Sequence, residues 1–248
     1  SNVDKNIISN ETVENDDLIS NENEILKEME EVEEINEESL DNEINEEVNY
    51  DESEVISEEV TIISPMVSRA AAIGNVNILS SDSTTVAQAE AWARAKGATE
   101  EFIGLASLYQ KYASSRGGVN WVLAYVQAAK ETGYGRFGGV LDASYKNPCG
   151  LKESSGGGDY DPNAHKRFDT WDQGIIAHLD HLALYAGASG YPKTNYISSW
   201  KGSNIDNSST YDPRHFAYLK GTATTAIDLG GKWAPSSTYG LELLRLYC

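Results

Sequence analysis

The chain has 248 residues, 40% of them hydrophobic, and a formal net charge of −20 from 39 Asp and Glu against 19 Lys and Arg. That balance argues against a basic nucleic-acid-binding surface, and no run of about eighteen apolar residues is present to span a bilayer. Two cysteines, Cys149 and Cys248, fit either redox compartment, and a bridge between them needs Cα atoms within about 7 Å, which sequence does not give.

The charge is unevenly spread. Residues 1–60 hold 23 of the acids against Lys5 and Lys27, a net −21, and the remainder is +1. The same stretch contains no Trp, Phe, Gly or Pro. It buries too little apolar surface to offset an ordering cost of roughly 1–2 kcal/mol per residue, which predicts disorder over residues 1–65. Ile25, Leu26, Met29, Val32 and Ile35 recur at helical spacing and predict a transient helix at most. The chain opens Ser1-Asn2-Val3, with neither Met nor an apolar leader, as a fragment or processed form does. Residues 66–82 read as a linker, and the folded domain is placed at 83–248.

Within the domain the patterning is helical. Residues 84–96 are Ala-rich and stop at Gly97. Residues 100–114 follow Thr99, with Glu100 and Glu101 complementing the helix N-terminus and a wide apolar face from Phe102 to Tyr112. Asn120 caps a helix that runs to Thr132 and ends at Gly133. Residues 150–169 are Gly-rich and polar, and predict a hairpin or long loop. Thr170 with Gln173 has the spacing of a capping box before a helix to about 186. Asp212-Pro213 has the form of a cap with Pro at the first helical position, and a last short helix covers about 238–246. The fold class is α+β, predominantly α, with a small β element.

The helix over 120–132 carries the chemistry. On a 100° wheel its apolar residues occupy two opposite faces, so the helix belongs in the core. Asn120, Gln127 and Glu131 share the narrow strip between those faces, which a substrate cleft would explain. Glu131 lies in the last turn, where the negative end of the helix dipole and apolar neighbours both raise a carboxyl pKa. A carboxylic acid that keeps its proton near neutrality can protonate a glycosidic oxygen. The bland alternative is a Glu that simply faces solvent at a helix end.

The residues that follow Glu131 separate these readings. Glu131-Thr132-Gly133-Tyr134-Gly135-Arg136-Phe137 is followed by Asn147-Pro148-Cys149-Gly150-Leu151-Lys152, then Arg167-Phe168-Asp169-Thr170-Trp171, and finally Trp233 to Gly240. Together these resemble the bacterial autolysin endo-beta-N-acetylglucosaminidases, glycoside hydrolase family 73, over roughly residues 84–247. The resemblance implies a lysozyme-like domain with Glu131 as general acid and Tyr239 beside the reacting sugar. It also implies that Asn147, Gly150 and Lys152 form the turn into a β element. Cys149 departs from the pattern, which commonly has a bulky apolar residue there; either the turn packs differently or Cys149 pairs with Cys248. Glu153 and Asp159, ahead of Asp161, are the candidates for a second catalytic carboxylate. If neither serves, the substrate's 2-acetamido oxygen can attack the anomeric carbon. Gln127, Tyr134, Phe137, Asn147, Lys152, Trp171 and Trp233 are the candidate substrate-binding residues, and Trp200 is a further ring for sugar stacking.

Three other patterns fall short. Asp159-x-Asp161-x-Asn163 opens like a calcium loop but has Ala164 and Thr170 where Gly and Glu are needed. His178 and His181 share a helix face without an evident third zinc ligand. Ser154-Ser155-Gly156-Gly157-Gly158 lacks the Lys of a phosphate loop. The expected function is therefore hydrolysis of the β-1,4 bond after N-acetylglucosamine in peptidoglycan, by a monomer, outside the cytoplasm, with no cofactor, metal, nucleic acid or membrane partner. A muramidase or lytic transglycosylase on the same fold, and a wall-binding module without activity, are the alternatives.

Overall fold

The structure, a computed structural model, describes residues 74–248. The expectations for residues 1–65 lie outside the described residues, as do residues 66–73 of the expected linker. The chain divides into two units, Ser1–Gly74 with Ala234–Ser237, and Asn75–Trp233 with Thr238–Cys248. The second unit carries the fold. It is α-rich with one small sheet, as the patterning predicts.

Its entry segment is pinned before the first described helix by isolated antiparallel bridges, Asn77 with Thr225 and Leu79 with Val119. Ala226 N–H donates to Val76 O at 2.8 Å, Ile78 N–H to Thr224 O at 2.9 Å, and Asn120 N–H to Ile78 O at 2.7 Å. Helix α1 (Val86–Ala95) starts at a complete capping box, Thr85 with Gln88. Helix α2 (Glu100–Gly104) is capped by Thr99, whose hydroxyl accepts from Phe102 N–H. Residues 100–114 do not form the single helix expected from the apolar face. Leu105 N–H bonds to Phe102 O, three residues back, and this tighter turn separates α2 from α3 (Ala106–Ala113). The break lets Phe102, Ile103, Leu105 and Ala106 all be buried.

Helices α4 (Trp121–Thr132) and α5 (Trp171–Tyr185) are the centre of the body. Asn120 caps α4 by accepting from Leu123 N–H at 3.0 Å, and its amide also donates to Ser80 and Tyr247. Residues 121–129 of α4 and 173–185 of α5 are buried without interruption. Thr170 caps α5, but the reciprocal half of the expected box goes elsewhere: the Gln173 side chain accepts from Asp169 N–H and donates to Ser198 O. Around the pair pack α3 and the last helix, α6 (Tyr239–Tyr247). Phe102 and Tyr125 stack with ring centroids 4.8 Å apart, and Tyr109, Leu123, Ile175, Ile176, Leu179 and Leu182 fill the space between helices. Each such fully buried side chain contributes about 1.5–3 kcal/mol.

The sheet is small: β1 (Asn195–Tyr196) pairs in parallel with β2 (Ser209–Thr210). Residues 150–169 fold back on themselves through one antiparallel bridge, Lys152 with His165, flanked by Glu153 N–H to Ala164 O and Lys166 N–H to Leu151 O. The helix expected behind Asp212-Pro213 does not form; one short turn, Ala217–Leu219, follows. The Asp212 carboxylate still accepts from Arg214 N–H, as a cap would, but its other oxygen is taken by His181 and His215. Those buried bonds fix the chain against α5 before a helix can start. Among the described residues no helix is long and apolar enough to cross a membrane.

Candidate active site

Glu131 is the penultimate residue of α4, and the helix is stopped directly after it. Gly133 takes a left-handed conformation (φ 57°, ψ 47°) and its N–H returns to Ala129 O. Five of the six residues from Gly133 to Gly138 have positive φ, including Tyr134 and Phe137, so the chain peels sharply away from the helix end. The peeled segment and the Asn147–Gly150 turn enclose a cleft of about 150 Å³ with Glu131 in its wall. Phe137, Val140 and Leu141 give the cleft an apolar side, and Asn147 and Gly150 also line it.

Glu131 meets water on its open side, while the rest of the carboxyl is crowded by protein. That desolvation raises its pKa above the ordinary 4.5, and hydrogen bonds from Tyr239 and Trp233, with the nearby Lys130 charge, pull the other way without cancelling it. The Tyr239 hydroxyl donates to Glu131 Oε1. Burial and the Glu131 carboxyl hold the Tyr239 phenol well above its usual pKa, so it remains a donor. Lys130 is turned aside into an ion pair with Glu242 at 2.6 Å.

Behind these residues runs a buried line of polar groups that sequence reasoning only partly anticipated. Gln127 Nε2–H donates to the Tyr239 hydroxyl at 3.0 Å. Gln127 Oε1 accepts from His178 Nε2 at 2.8 Å, and His178 Nδ1 faces the Tyr109 hydroxyl at 2.7 Å. Tyr109, Gln127 and His178 have no exposed surface. Gln127, expected to face substrate, is therefore a link behind the cleft. The spacing of Gln127 and Glu131, four apart on one helix strip, was the only sequence signal. His178 lies 51 residues from Gln127, and nothing local indicates that they meet.

The other expected residues are placed as follows. Trp233 hydrogen-bonds Glu131 and packs against His178, His181 and Tyr185. Asn147 is fully buried and uses its amide to hold its own turn: it donates to Leu151 O and Lys166 O, and accepts from Cys149 N–H and Leu151 N–H. Tyr134 packs on Trp92, with Arg136 over its ring. Trp171 donates to Glu101 at 2.7 Å and lies under Lys146. Trp200 packs on Tyr211. Lys152 is paired with Asp159 at 2.6 Å across the Gly-rich loop, and Asp159 is held below the usual carboxylate range by that bond. Glu153 is half-buried with Lys166 at 3.9 Å. Neither Glu153 nor Asp159 lines the cleft, where Glu131 is the one carboxylic acid among the described residues. Cys149 is buried and Cys248 exposed, and both are free thiols. Burial, with Glu131 and Asp212 nearby, pushes the Cys149 thiol far above its usual pKa and keeps it inert. A larger open depression of about 710 Å³ around Ser114–Gly118 and Tyr191–Thr194 holds no carboxyl, so chemistry rather than size locates the site.

The site's setting in known sequence space agrees with its geometry. Residues 106–246 match the glucosaminidase family, described as mannosyl-glycoprotein endo-beta-N-acetylglucosaminidase. An uncharacterized protein of Borreliella burgdorferi is 30% identical over 129 residues, which is 52% of this chain and 53% of that protein. The chain thus spans about half the length of this curated relative. No solved structure matches. A helix that ends on a half-sheltered acid, a tyrosine donating to it and a family match across more than half of the chain lead to one assignment: the chain belongs to the glucosaminidase family and is a glycoside hydrolase.

Proposed function

We propose that this chain is a peptidoglycan hydrolase that cleaves the β-1,4 bond between N-acetylglucosamine and N-acetylmuramic acid, with Glu131 as the proton donor. It acts as an autolysin at the cell wall, as a monomer and without a cofactor. The observation that carries the reading is the contact of Tyr239 with Glu131 in the cleft wall, on a carboxyl whose pKa burial raises. A raised pKa favours the protonated form that the leaving oxygen needs, and the tyrosine keeps the carboxyl oriented. Because Glu131 is the one carboxylic acid lining the cleft among the described residues, the route in which the substrate's 2-acetamido oxygen attacks the anomeric carbon is favoured over a second protein carboxylate. In that route Glu131 protonates the leaving oxygen, and its conjugate base then activates the water that opens the cyclic intermediate.

The test is a digest of purified peptidoglycan by this chain and by Glu131→Gln, with products reduced by borohydride and read by mass spectrometry. Reduced glucosamine ends from the wild type and a loss of about a thousandfold in the variant are expected. Reduced muramic or 1,6-anhydro ends would move the bond or the reaction class. Wall binding without any product would make the chain a binding module. Under the acetamido route, Glu153→Gln and Asp159→Asn each keep activity within about tenfold of wild type; a loss as deep as that of Glu131→Gln would identify a second catalytic carboxylate.

A further inference from the structure

The line Tyr109–His178–Gln127–Tyr239–Glu131 has a direction. Tyr239 has one hydroxyl proton, and it goes to Glu131 Oε1. Its oxygen must then accept from Gln127, so the Gln127 amide points its NH₂ at Tyr239 and its oxygen at His178. A Gln127 oxygen can only accept, so His178 carries its proton on Nε2 and leaves Nδ1 as an acceptor for the Tyr109 hydroxyl. Every donor in the line points toward Glu131. Turning the amide over would give the single Tyr239 proton two competing acceptors and reverse the imidazole. The Tyr109 ring also stands edge-on to the imidazole, and Trp233 packs against it, which restricts the ring.

We propose that His178 is a positioning residue, which through Gln127 and Tyr239 fixes the hydroxyl of Tyr239 as a donor to Glu131 Oε1 and so sets how tightly Glu131 holds its proton. This rests on the reading of Glu131 as the general acid. The inference follows from connectivity: the His178 Nε2–H engages the Gln127 oxygen, the Gln127 NH₂ then makes the Tyr239 oxygen an acceptor, and the one Tyr239 proton is left for Glu131. A neutral imidazole with its proton on Nε2 gives the line its full direction, donating to Gln127 and accepting from the Tyr109 hydroxyl on Nδ1. Burial supplies that condition, together with the neighbouring His181, and Asp212 opposes them weakly; the His178 pKa is lowered to about 3. The groups that face His178 are Tyr109 from α3, Gln127 from α4, His181 on α5 itself, Asp212 beyond it and Trp233; none of these brings a fixed positive charge.

The line makes a definite demand on Glu131. Removing the directing imidazole frees Gln127 to turn, Tyr239 then shares its proton between two acceptors, and the ionised form of Glu131 loses a hydrogen bond. The Glu131 pKa therefore rises, by about one unit for one charge-assisted bond. The alkaline limb of the kcat/KM profile, which reports the free-enzyme acid, shifts upward with it.

The experiment compares wild type, His178→Leu, His178→Gln, Tyr109→Phe, Tyr239→Phe and the double variant His178→Leu/Tyr239→Phe. Readouts are pH profiles of peptidoglycan digestion and the ¹³C-carboxyl NMR titration of Glu131. The expected result is an upward shift of the Glu131 titration in His178→Leu and a smaller one in Tyr109→Phe. His178→Gln keeps an N–H donor at the reach of Nε2 and returns the titration toward wild type. The double variant shifts no further than Tyr239→Phe alone, because both act on one bond. If His178→Leu does not fold, Tyr109→Phe and His178→Gln carry the comparison. Lower activity in the His178 and Tyr109 variants with an unmoved titration, or fully additive shifts, would overturn the inference and leave His178 a packing residue. The NMR arm separates that outcome from failure of the general-acid reading, which would show instead as full activity in Glu131→Gln.

Discussion

Glu131 sits where folding and chemistry disagree. Its surroundings disfavour the ionised form, so its folded pKa lies above the ordinary 4.5. For a carboxyl with a raised folded pKa the native state binds the proton more tightly than the unfolded chain, and stability falls as pH rises through that interval. Glu131→Gln removes this loss. The variant is expected to melt above wild type at neutral pH, and the difference should vanish below a pH of about 4, where both states are protonated. Thermal scans across that range check it, and a variant less stable than wild type at pH 7 would contradict it. Asp212 runs in the opposite sense. Burial alone would raise its pKa, but His181 and His215 outweigh burial and hold it at about 2. Its contribution is present above the ordinary 3.8 and is lost as pH falls through about 2. Asp212→Asn is therefore expected to be less stable than wild type at pH 6, and the gap should close as pH falls toward 2.

At the scale of elements, the site depends on how closely α6 approaches its neighbours. Gly240 follows Tyr239, and a methyl group there would stand 2.3 Å from Ala226 O and 2.5 Å from Ile227 Cα. Both are backbone atoms, so the helix would have to retreat. Gly240→Ala is expected to withdraw Tyr239 from Glu131 and lower kcat by roughly tenfold to a hundredfold with KM nearly unchanged, as steady-state kinetics on a soluble glycan fragment will show. Helices were legible in the sequence where their signals are local. Asn120 and Thr170 cap as read, and Gly133 stops α4 at the residue expected. The break at Leu105 was not, because it serves burial on two sides rather than any propensity at Gly104 or Leu105. The two-residue strands β1 and β2 are too short to carry an alternation. Asp212-Pro213 has the form of a cap, yet its carboxylate is claimed by His181, 31 residues away. In the site, Glu131 and Tyr239 are adjacent to motifs, while Tyr109 and His178, 69 residues apart, meet only in three dimensions.

Across the whole body, one buried charge cluster ties the layers together. The Asp180 carboxylate on α5 accepts from Arg116 Nε at 2.7 Å, Arg116 Nη2 at 2.5 Å, Tyr191 at 2.6 Å and Thr210 at 2.6 Å. Arg116 follows α3, Tyr191 follows α5, and Thr210 lies in β2, so one side chain joins three parts of the fold. Removing a partner from such a cluster leaves uncompensated charge, and Asp180→Asn is expected to cost on the order of 3–5 kcal/mol, read as a lower urea midpoint. A loss under about 1 kcal/mol would mean that water replaces the carboxylate. The same helix has a consequence in time. Since residues 173–185 have no face to solvent, their amide protons can trade for deuterium only when the body opens as a unit. The slowest-exchanging amides of α5 are thus a built-in gauge of global opening, legible in wild type and variants alike without any substrate.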